Sequence, residues 1–280
     1  MLSPIRPILG WLLVFRLHGV MERAQVFSHK NDAIEVDDVA TDLSAAVNSK
    51  YGCLLKPRSF FVAWNGVIVL VFDGFPPTLC QFKVALENVV PNLKPENFGS
   101  KWPKATLGAV NDDAPKELTL EEFRDLKKIC QEISCQLVDN EAMLVAIKTV
   151  SIVHYSQRSL EDLVSKANII LEESEEHGKI ETSDEEKQRV KGVVGEWDDE
   201  VEYLEKVNAP GSRIRSYREE SPSGFTCVSF LDPLPPSLQK VLSEVQRSVD
   251  KRFPGRYSWL EETSLHCTLR SLAQTESSGS

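Results

Sequence analysis

The order of apolar and polar residues along this chain predicts strands and helices that alternate. A run rich in Val, Ile and Phe from Phe60 to Phe72 predicts a strand. An apolar stripe with helical spacing follows from Thr78 to Val90 and ends at Pro91. A capping box at Thr119 begins a second helix, and residues Met143 to Val153 predict a further strand. The first half of the chain therefore combines both element types.

The second half repeats part of this order. Residues Phe225 to Phe230 predict a strand, and residues Ser237 to Phe253 predict a helix. Between them, Asp-Pro-Leu-Pro-Pro-Ser-Leu from Asp232 matches Asp-Gly-Phe-Pro-Pro-Thr-Leu from Asp73. Pro-Pro-Ser/Thr suits a helix N-terminus, where a fixed φ and a capping hydroxyl are favourable. Each copy then ends on Thr-Leu in another strand, so we interpret the chain as an internal repeat of strand, helix and strand.

The middle of the chain carries nearly all of the net charge. The 280 residues have a net charge of −10, and residues Leu171 to Lys206 contain 14 acids and 5 bases, or −9. Helical spacing predicts helices from Ser159 to Leu171 and from Val190 to Leu204, with Val194, Trp197 and Val201 packed. The acids are interpreted as a solvated helix face, with an arm that binds a protein partner as the alternative. The remainder is close to neutral, so its composition does not argue against nucleic acid.

These patterns predict an α+β fold with two pseudo-symmetric lobes of antiparallel sheet and packed helices, joined by an acidic helical segment. The ranges are 1–50 (a partly disordered extension), 51–156 (lobe 1), 157–220 (acidic helical insertion and linker), 221–272 (a shortened lobe 2) and 273–280 (tail).

The cysteines and the N-terminal residues bear on the compartment. Six scattered cysteines without a C-x-x-C pair are typical of reduced thiols in an intracellular protein. The apolar run from Ile8 to Phe15 is too short for an integral membrane span, which needs about 20 residues. We expect a cytoplasmic chain, with organelle targeting by residues 1–21 as the alternative. No motif predicts a metal or a cofactor.

The candidate catalytic residues lie in Leu-His-Cys-Thr-Leu-Arg, residues 265–270, which ends the second copy of the repeat. His266 and Thr268 are two apart on the predicted strand, so both side chains point to one face. Leu265, Cys267 and Leu269 point to the other face. At these residues the chain resembles the two-histidine phosphoesterase superfamily, the RNA ligase/cyclic nucleotide phosphodiesterase proteins.

The resemblance covers residues 60–155 and 225–272 and implies a fold and a mechanism. In that family two lobes each present a His-x-Thr/Ser to a shared cleft. One imidazole is a general base, the opposite imidazolium is a general acid, and the hydroxyls hold the phosphate. It implies that His266 and Thr268 are catalytic. Thr106, Lys104 and Arg270 are then expected to bind phosphate at a nucleotide or RNA end.

One departure from the family pattern concerns the second histidine. The repeat places Lys104 opposite His266, and a lysine is a poor base at neutral pH unless it is strongly desolvated. His154, in His-Tyr-Ser, is a rival but lies outside the register of the repeat, so we interpret it as structural. Three functions remain open: a phosphodiesterase (a hydrolase) with weakened catalysis, a binding module of the same fold, and a non-catalytic interaction protein working through its acidic helices.

Overall fold

The computed structural model describes most of the chain after residue 34. The described residues are 35–47, 50–90, 93, 101–115, 117–173, 181–211, 213–219 and 223–274. The segment at residues 1–21, for which targeting is the alternative, lies outside them, as does most of the predicted tail.

The described residues form the following strands and helices. The strands are β1 (Cys53–Leu55), β2 (Pro57–Val62), β3 (Ile68–Phe72), β4 (Lys104–Val110), β5 (Val145–Ile147), β6 (Thr149–Tyr155), β7 (Leu163–Ile170), β8 (Gly224–Phe230), β9 (Tyr257–Trp259) and β10 (His266–Gln274). The helices are α1 (Val36–Ala46), α2 (Pro77–Val89), α3 (Leu120–Ser134), α4 (Asp184–Gly195), α5 (Glu200–Asn208), α6 (Ile214–Arg218) and α7 (Pro236–Arg252). None of these helices is both long and apolar enough to cross a bilayer.

Two four-stranded antiparallel sheets dominate the fold, which confirms the α+β class. One has the strand order β2-β3-β4-β9 and the other has the order β10-β8-β6-β7, while β1 and β5 form a small pair. The first sheet combines three strands from the first half of the chain with β9 from the second half, whereas all four strands of the other sheet come from after residue 148. Strand β6 is apolar on both faces, with Val150, Ile152 and Val153 buried, and it pairs with β7 on one side and β8 on the other. Burial of both faces favours such a central position.

The predicted strand from Phe60 to Phe72 is a hairpin. Strands β2 and β3 pair in an antiparallel register around a tight turn at Asn65 and Gly66. Both residues have a positive φ, 63° at Asn65 and 74° at Gly66. Asn and Gly tolerate this left-handed conformation better than other residues, and Asn-Gly is a strong hairpin signal. The predicted strand from Met143 to Val153 is likewise divided, into β5 and β6.

The internal repeat is visible in the backbone register. Helices α2 and α7 begin within one residue of their predicted starts, each at the second proline of its Pro-Pro pair. In each copy the strand before the helix pairs with the strand that carries the Thr-Leu, β3 with β4 and β8 with β10, although β9 intervenes in the second copy. The cross-strand partners are Lys104 with Val71 and Thr106 with Val69 in the first copy, and His266 with Phe230 and Thr268 with Val228 in the second. Lys104 and His266 therefore hold equivalent positions, as do Thr106 and Thr268.

The acidic segment is less helical than its pattern predicts. The helix expected from Ser159 to Leu171 is wrong, because Leu163–Ile170 is the edge strand β7. Its side chains alternate, with Ala167 and Ile169 buried and Val164 and Ile170 exposed, which is strand periodicity. Helices α4 and α5 agree with the second predicted helix over most of its length, interrupted near residue 197.

Helix α1 lies within the range interpreted as an extension. It packs on β6 and β7, and its Val36, Val39 and Leu43 side chains are buried at helical spacing. The three- and four-residue spacing of these apolar side chains is a signal that the sequence contains. The extension therefore contributes a structural helix from Val36 to Ala46.

Candidate functional site

A cavity of about 270 Å³ lies where the two large sheets meet, between β4 and β10. Four of the five sequence-predicted site residues line this β4–β10 cavity: Lys104 and Thr106 from β4, and His266 and Thr268 from β10. Strand β4 has a neighbour on each side, whereas β10 is the edge strand of its sheet. The equivalent positions of the repeat thus face one another across a shared space.

The fifth predicted residue, Arg270, is placed elsewhere. Its side chain is 3% exposed and does not line the β4–β10 cavity. The register between β10 and β8 shifts between Thr268 and Arg270, so the alternation of side chains changes phase there. As a result Ser271 lines the cavity, although unbroken alternation from His266 would assign that face to Arg270. A bulge of this kind is not readable from the residue pattern.

The imidazole of His266 is oriented by the loop that precedes β10. Its Nδ1–H donates a hydrogen bond of 2.8 Å to the Ser264 carbonyl oxygen. In the neutral ring this contact leaves Nε2 as the acceptor. Burial, with help from the nearby Lys101, lowers the pKa of His266 below its ordinary value of 6.5. At neutral pH the ring is therefore uncharged and able to accept a proton at Nε2.

Lys104 sits in an unusual environment for a lysine. Its Nζ lies 4.1 Å from the centroid of the Trp102 ring, a cation–π contact. Burial, reinforced by the positive charge of Lys101, lowers the pKa of Lys104 from 10.5 to about 8. The strong desolvation that a lysine needs in order to exchange protons near neutral pH is therefore present.

Several cavity residues come from segments where the sequence carries no site motif. Lys101 precedes β4, Arg158 follows β6, and Tyr217 lies on the short helix α6. Tyr217 forms a side-chain hydrogen bond with Thr106, and the Arg158 guanidinium lies 5.0 Å from the centroid of the Tyr217 ring. Burial raises the pKa of Tyr217, so its hydroxyl stays protonated. Only the fold brings these linker residues next to the repeat.

The charge of the cavity is opposite to that of the whole chain. Among the described residues that line it, three are basic, Lys101, Lys104 and Arg158, and none is acidic. Six hydroxyl side chains also line it: Thr106, Tyr155, Tyr217, Thr226, Thr268 and Ser271. A chain with a net charge of −10 thus contains a cavity of cations and hydrogen-bond donors, which suits an oxyanion.

His154 lies on the opposite face of its sheet. Its ring stacks on Phe225 with a centroid distance of 4.3 Å, and it does not line the β4–β10 cavity. The next residue, Tyr155, does line it, as strand alternation requires. This position agrees with the interpretation of His154 as a structural residue.

The acidic segment supports the cavity from outside. Arg189 on α4 donates to the Lys101 carbonyl oxygen at 2.7 Å and to Glu186 at 2.6 Å. Glu186 also accepts from the Phe75 amide at 3.0 Å, at the turn before α2. On α5, Glu200 pairs with Lys127 of α3. The acidic segment thus contacts the turn before α2 through Glu186, helix α3 through Glu200 and the backbone of Lys101 through Arg189.

The carboxylate of Glu161 binds helix α6, which carries Tyr217. Glu161 accepts two hydrogen bonds from Arg218, at 2.8 and 2.9 Å, and one from the Glu261 amide at 3.0 Å. The Glu161 side chain is 11% exposed. Arg218 is the main cause of a lowered pKa at Glu161. This carboxylate links α6 to the segment that leads into His266.

We expect Glu161→Gln to lower the free energy of unfolding by about 1–2 kcal/mol at neutral pH, because the charge-assisted bonds are lost. A lowered pKa in the folded state contributes stability above the unfolded value of 4.5, and this contribution is lost as the pH falls through the folded pKa. Urea denaturation at neutral pH and below pH 4.5 should therefore show a difference that shrinks on acidification. An equal difference at both pH values would contradict this role.

Comparisons of the chain with known protein families, with curated proteins and with solved structures give no match. In the described residues, no cluster of three or more His, Cys, Asp or Glu side chains is placed to hold a metal ion.

Proposed function

We propose that this chain binds and acts on a phosphate ester at a nucleotide or RNA end, as a phosphodiesterase of the two-histidine type with altered machinery. The observation that carries the proposal is the β4–β10 cavity, which collects three cations, six hydroxyls and one histidine without a carboxylate among its described lining. Paired cations and hydroxyls recognise phosphate by charge-assisted hydrogen bonds.

The arrangement of the catalytic groups supports this function. His266 is neutral at physiological pH and keeps Nε2 free to accept a proton, as a general base requires. Thr106 and Thr268 occupy equivalent positions on either side of the cavity, where their hydroxyls donate to phosphate oxygens. Donors on both sides hold the ester in one orientation, which favours in-line attack.

The remaining lining supports a nucleotide as the ester. Trp102, Tyr155 and Tyr217 add aromatic surface, and Leu160 and Leu260 add apolar surface. Flat apolar walls beside a phosphate site suit a ribose and base, since aromatic side chains stack with bases of any sequence. The interaction-protein alternative has less support, because Glu186 and Glu200 of the acidic segment are bound within the chain.

We also propose an intracellular location. All six cysteines are free, and Cys53, Cys130, Cys227 and Cys267 are buried in the core. Free thiols of this kind are typical of a reducing compartment.

Titration calorimetry with adenosine 2′,3′-cyclic monophosphate tests the binding step. We expect the full chain to bind it, and Arg158→Ala and Thr268→Val each to weaken the affinity about tenfold, because each removes a donor to the phosphate. Affinity should also fall as salt is added, since the attraction is partly electrostatic.

Thr41→Val is the matched control for Thr268→Val. Thr41 lies on α1, and its hydroxyl donates to the Asp37 carbonyl oxygen on the same exposed helix surface. The control should bind the cyclic nucleotide as the unmodified chain does. Absence of binding, or equal affinity in all variants, would exclude the β4–β10 cavity as a phosphate site.

A further inference from the structure

We propose that Lys104 is the proton donor to the leaving oxygen in this cavity, so that a histidine–lysine pair performs the acid–base chemistry. This inference rests on the proposed function. His266 Nε2 accepts the proton of the attacking water, and Lys104 Nζ protonates the oxygen that departs. Lys104 thereby has a chemical role beyond neutralising phosphate charge.

The first argument is positional. The cross-strand partner of Lys104 is Val71, which lies two residues before Asp73. The cross-strand partner of His266 is Phe230, which lies two residues before the equivalent Asp232. Both side chains line the same cavity, from β4 and from β10. Cleavage of a phosphodiester needs a proton acceptor for the attacking water and a proton donor for the leaving oxygen, and we assign these two roles to the two side chains that line the cavity from different strands.

The second argument is the environment of the ammonium group. No described carboxylate is among the groups that shift the pKa of Lys104, and its Nζ lies over the Trp102 ring at 4.1 Å. Without an anionic partner, burial disfavours the charged form. A lysine that serves only as an electrostatic clamp needs no such desolvation. A lysine that must release its proton benefits from it.

The charged and titratable groups around Lys104 determine its titration. They are Lys101 from the segment before β4, Cys267 and His266 from β10, Tyr155 from β6, Arg158 from the loop after β6, and Tyr217 from α6. Burial raises the pKa of the Cys267 thiol to about 12, so it carries no charge at neutral pH. The positive charge of Lys101 further disfavours the charged form of Lys104.

The proposed step balances as follows. Water attacks the phosphorus of a 2′,3′-cyclic phosphate, and one of its protons passes to His266 Nε2. The bond between phosphorus and the ribose O2′ breaks, and Lys104 Nζ gives a proton to that oxygen. The product is a 3′-phosphomonoester. To return to the starting forms, the His266 imidazolium releases one proton to solvent and the neutral Lys104 amine takes one up.

The reactive form has a neutral His266 and a charged Lys104. Raising the pH through the lowered pKa of His266, below 6.5, creates the base. Raising it further through the pKa of Lys104, about 8, removes the acid. The rate should therefore rise on the acid side, pass through a maximum near neutral pH and fall above about pH 8.

The test compares Lys104→Arg with the unmodified chain on adenosine 2′,3′-cyclic monophosphate. Arginine keeps the positive charge but does not release its proton. We expect kcat to fall at least about 100-fold and the alkaline limb to disappear, while affinity changes little. Bis(4-nitrophenyl) phosphate, whose phenolate leaves without protonation, should be cleaved nearly as fast by the variant. Lys128→Arg, at an exposed site on α3, is the matched control.

Three results would overturn the inference. They are full activity of Lys104→Arg on the cyclic nucleotide, an equal loss with both substrates, and binding of the cyclic nucleotide without turnover by the unmodified chain. The last result leaves the proposed binding site intact, whereas absence of binding removes both proposals. NMR titration of the lysine side-chain signals in the free protein gives an independent readout. A Lys104 midpoint near 8 supports the inference, and one near 10.5 refutes it.

Discussion

Replacing His266 by alanine is expected to lower turnover of a 2′,3′-cyclic nucleotide by about 10²–10⁴-fold, because the variant loses the proposed general base. The acid limb of the pH–rate profile, which reports the lowered pKa of His266, should disappear with it. Affinity for the cyclic nucleotide should change much less, since Thr268, Arg158 and the lysines remain. Initial rates across the pH range and calorimetry separate the two effects.

His154→Ala is the matched control for this experiment. His154 stacks on Phe225 on the face of the sheet away from the cavity. Its removal affects packing, so we expect a small loss of stability and unchanged kcat. Unchanged turnover in His266→Ala, or a large loss of kcat in a folded His154→Ala, would contradict the assignment of His266 as the base.

Replacing Trp197 by alanine is expected to lower the free energy of unfolding by about 3–5 kcal/mol. Trp197 is 4% exposed, and its ring centroid lies 4.8 Å from that of Phe61 on β2. Lys127 on α3 donates to the Trp197 carbonyl oxygen at 2.9 Å and lies near the ring. A truncated side chain leaves a cavity between the acidic segment and the first sheet. Denaturant unfolding followed by circular dichroism measures the loss.

Val201→Ala is the control for the same stripe of apolar residues. Helical spacing predicts that Val194, Trp197 and Val201 all pack, but Val201 is 66% exposed, so this part of the prediction is wrong. We therefore expect Val201→Ala to change stability by less than about 0.5 kcal/mol. A loss similar to that of Trp197→Ala would mean that Val201 is buried.

The elements that the sequence predicts well have local causes. The capping box at Thr119 forms as expected, with Thr119 and Glu122 bonded reciprocally. Helices α2 and α7 begin at the second proline of their Pro-Pro pairs, because a fixed φ in the first turn suits a helix. The register that equates Lys104 with His266 follows from the repeated residues themselves.

The wrong sequence-based predictions for residues 163–170 and for Arg270 have a common cause, which is pairing with a neighbouring strand. Leu163–Ile170 contains enough apolar residues for a helical stripe, yet pairing with β6 makes it a strand. Strand propensity depends on neighbouring strands, which a local pattern does not contain. The bulge after Thr268 turns Arg270 inward by the same kind of non-local pairing with β8.

By itself, the sequence determined the repeat, its helix starts and the His-x-Thr on one strand face, because caps, turn residues and alternation act within a few residues. Only the tertiary structure decided which segments meet at the β4–β10 cavity and how far the ammonium group of Lys104 is desolvated there. Desolvation depends on everything packed around a group, including Trp102 beside Lys104 and Lys101 held by a distant helix. The sequence therefore identifies the residue equivalent to His266 in the first copy, and the fold sets the environment that lowers the pKa of this residue.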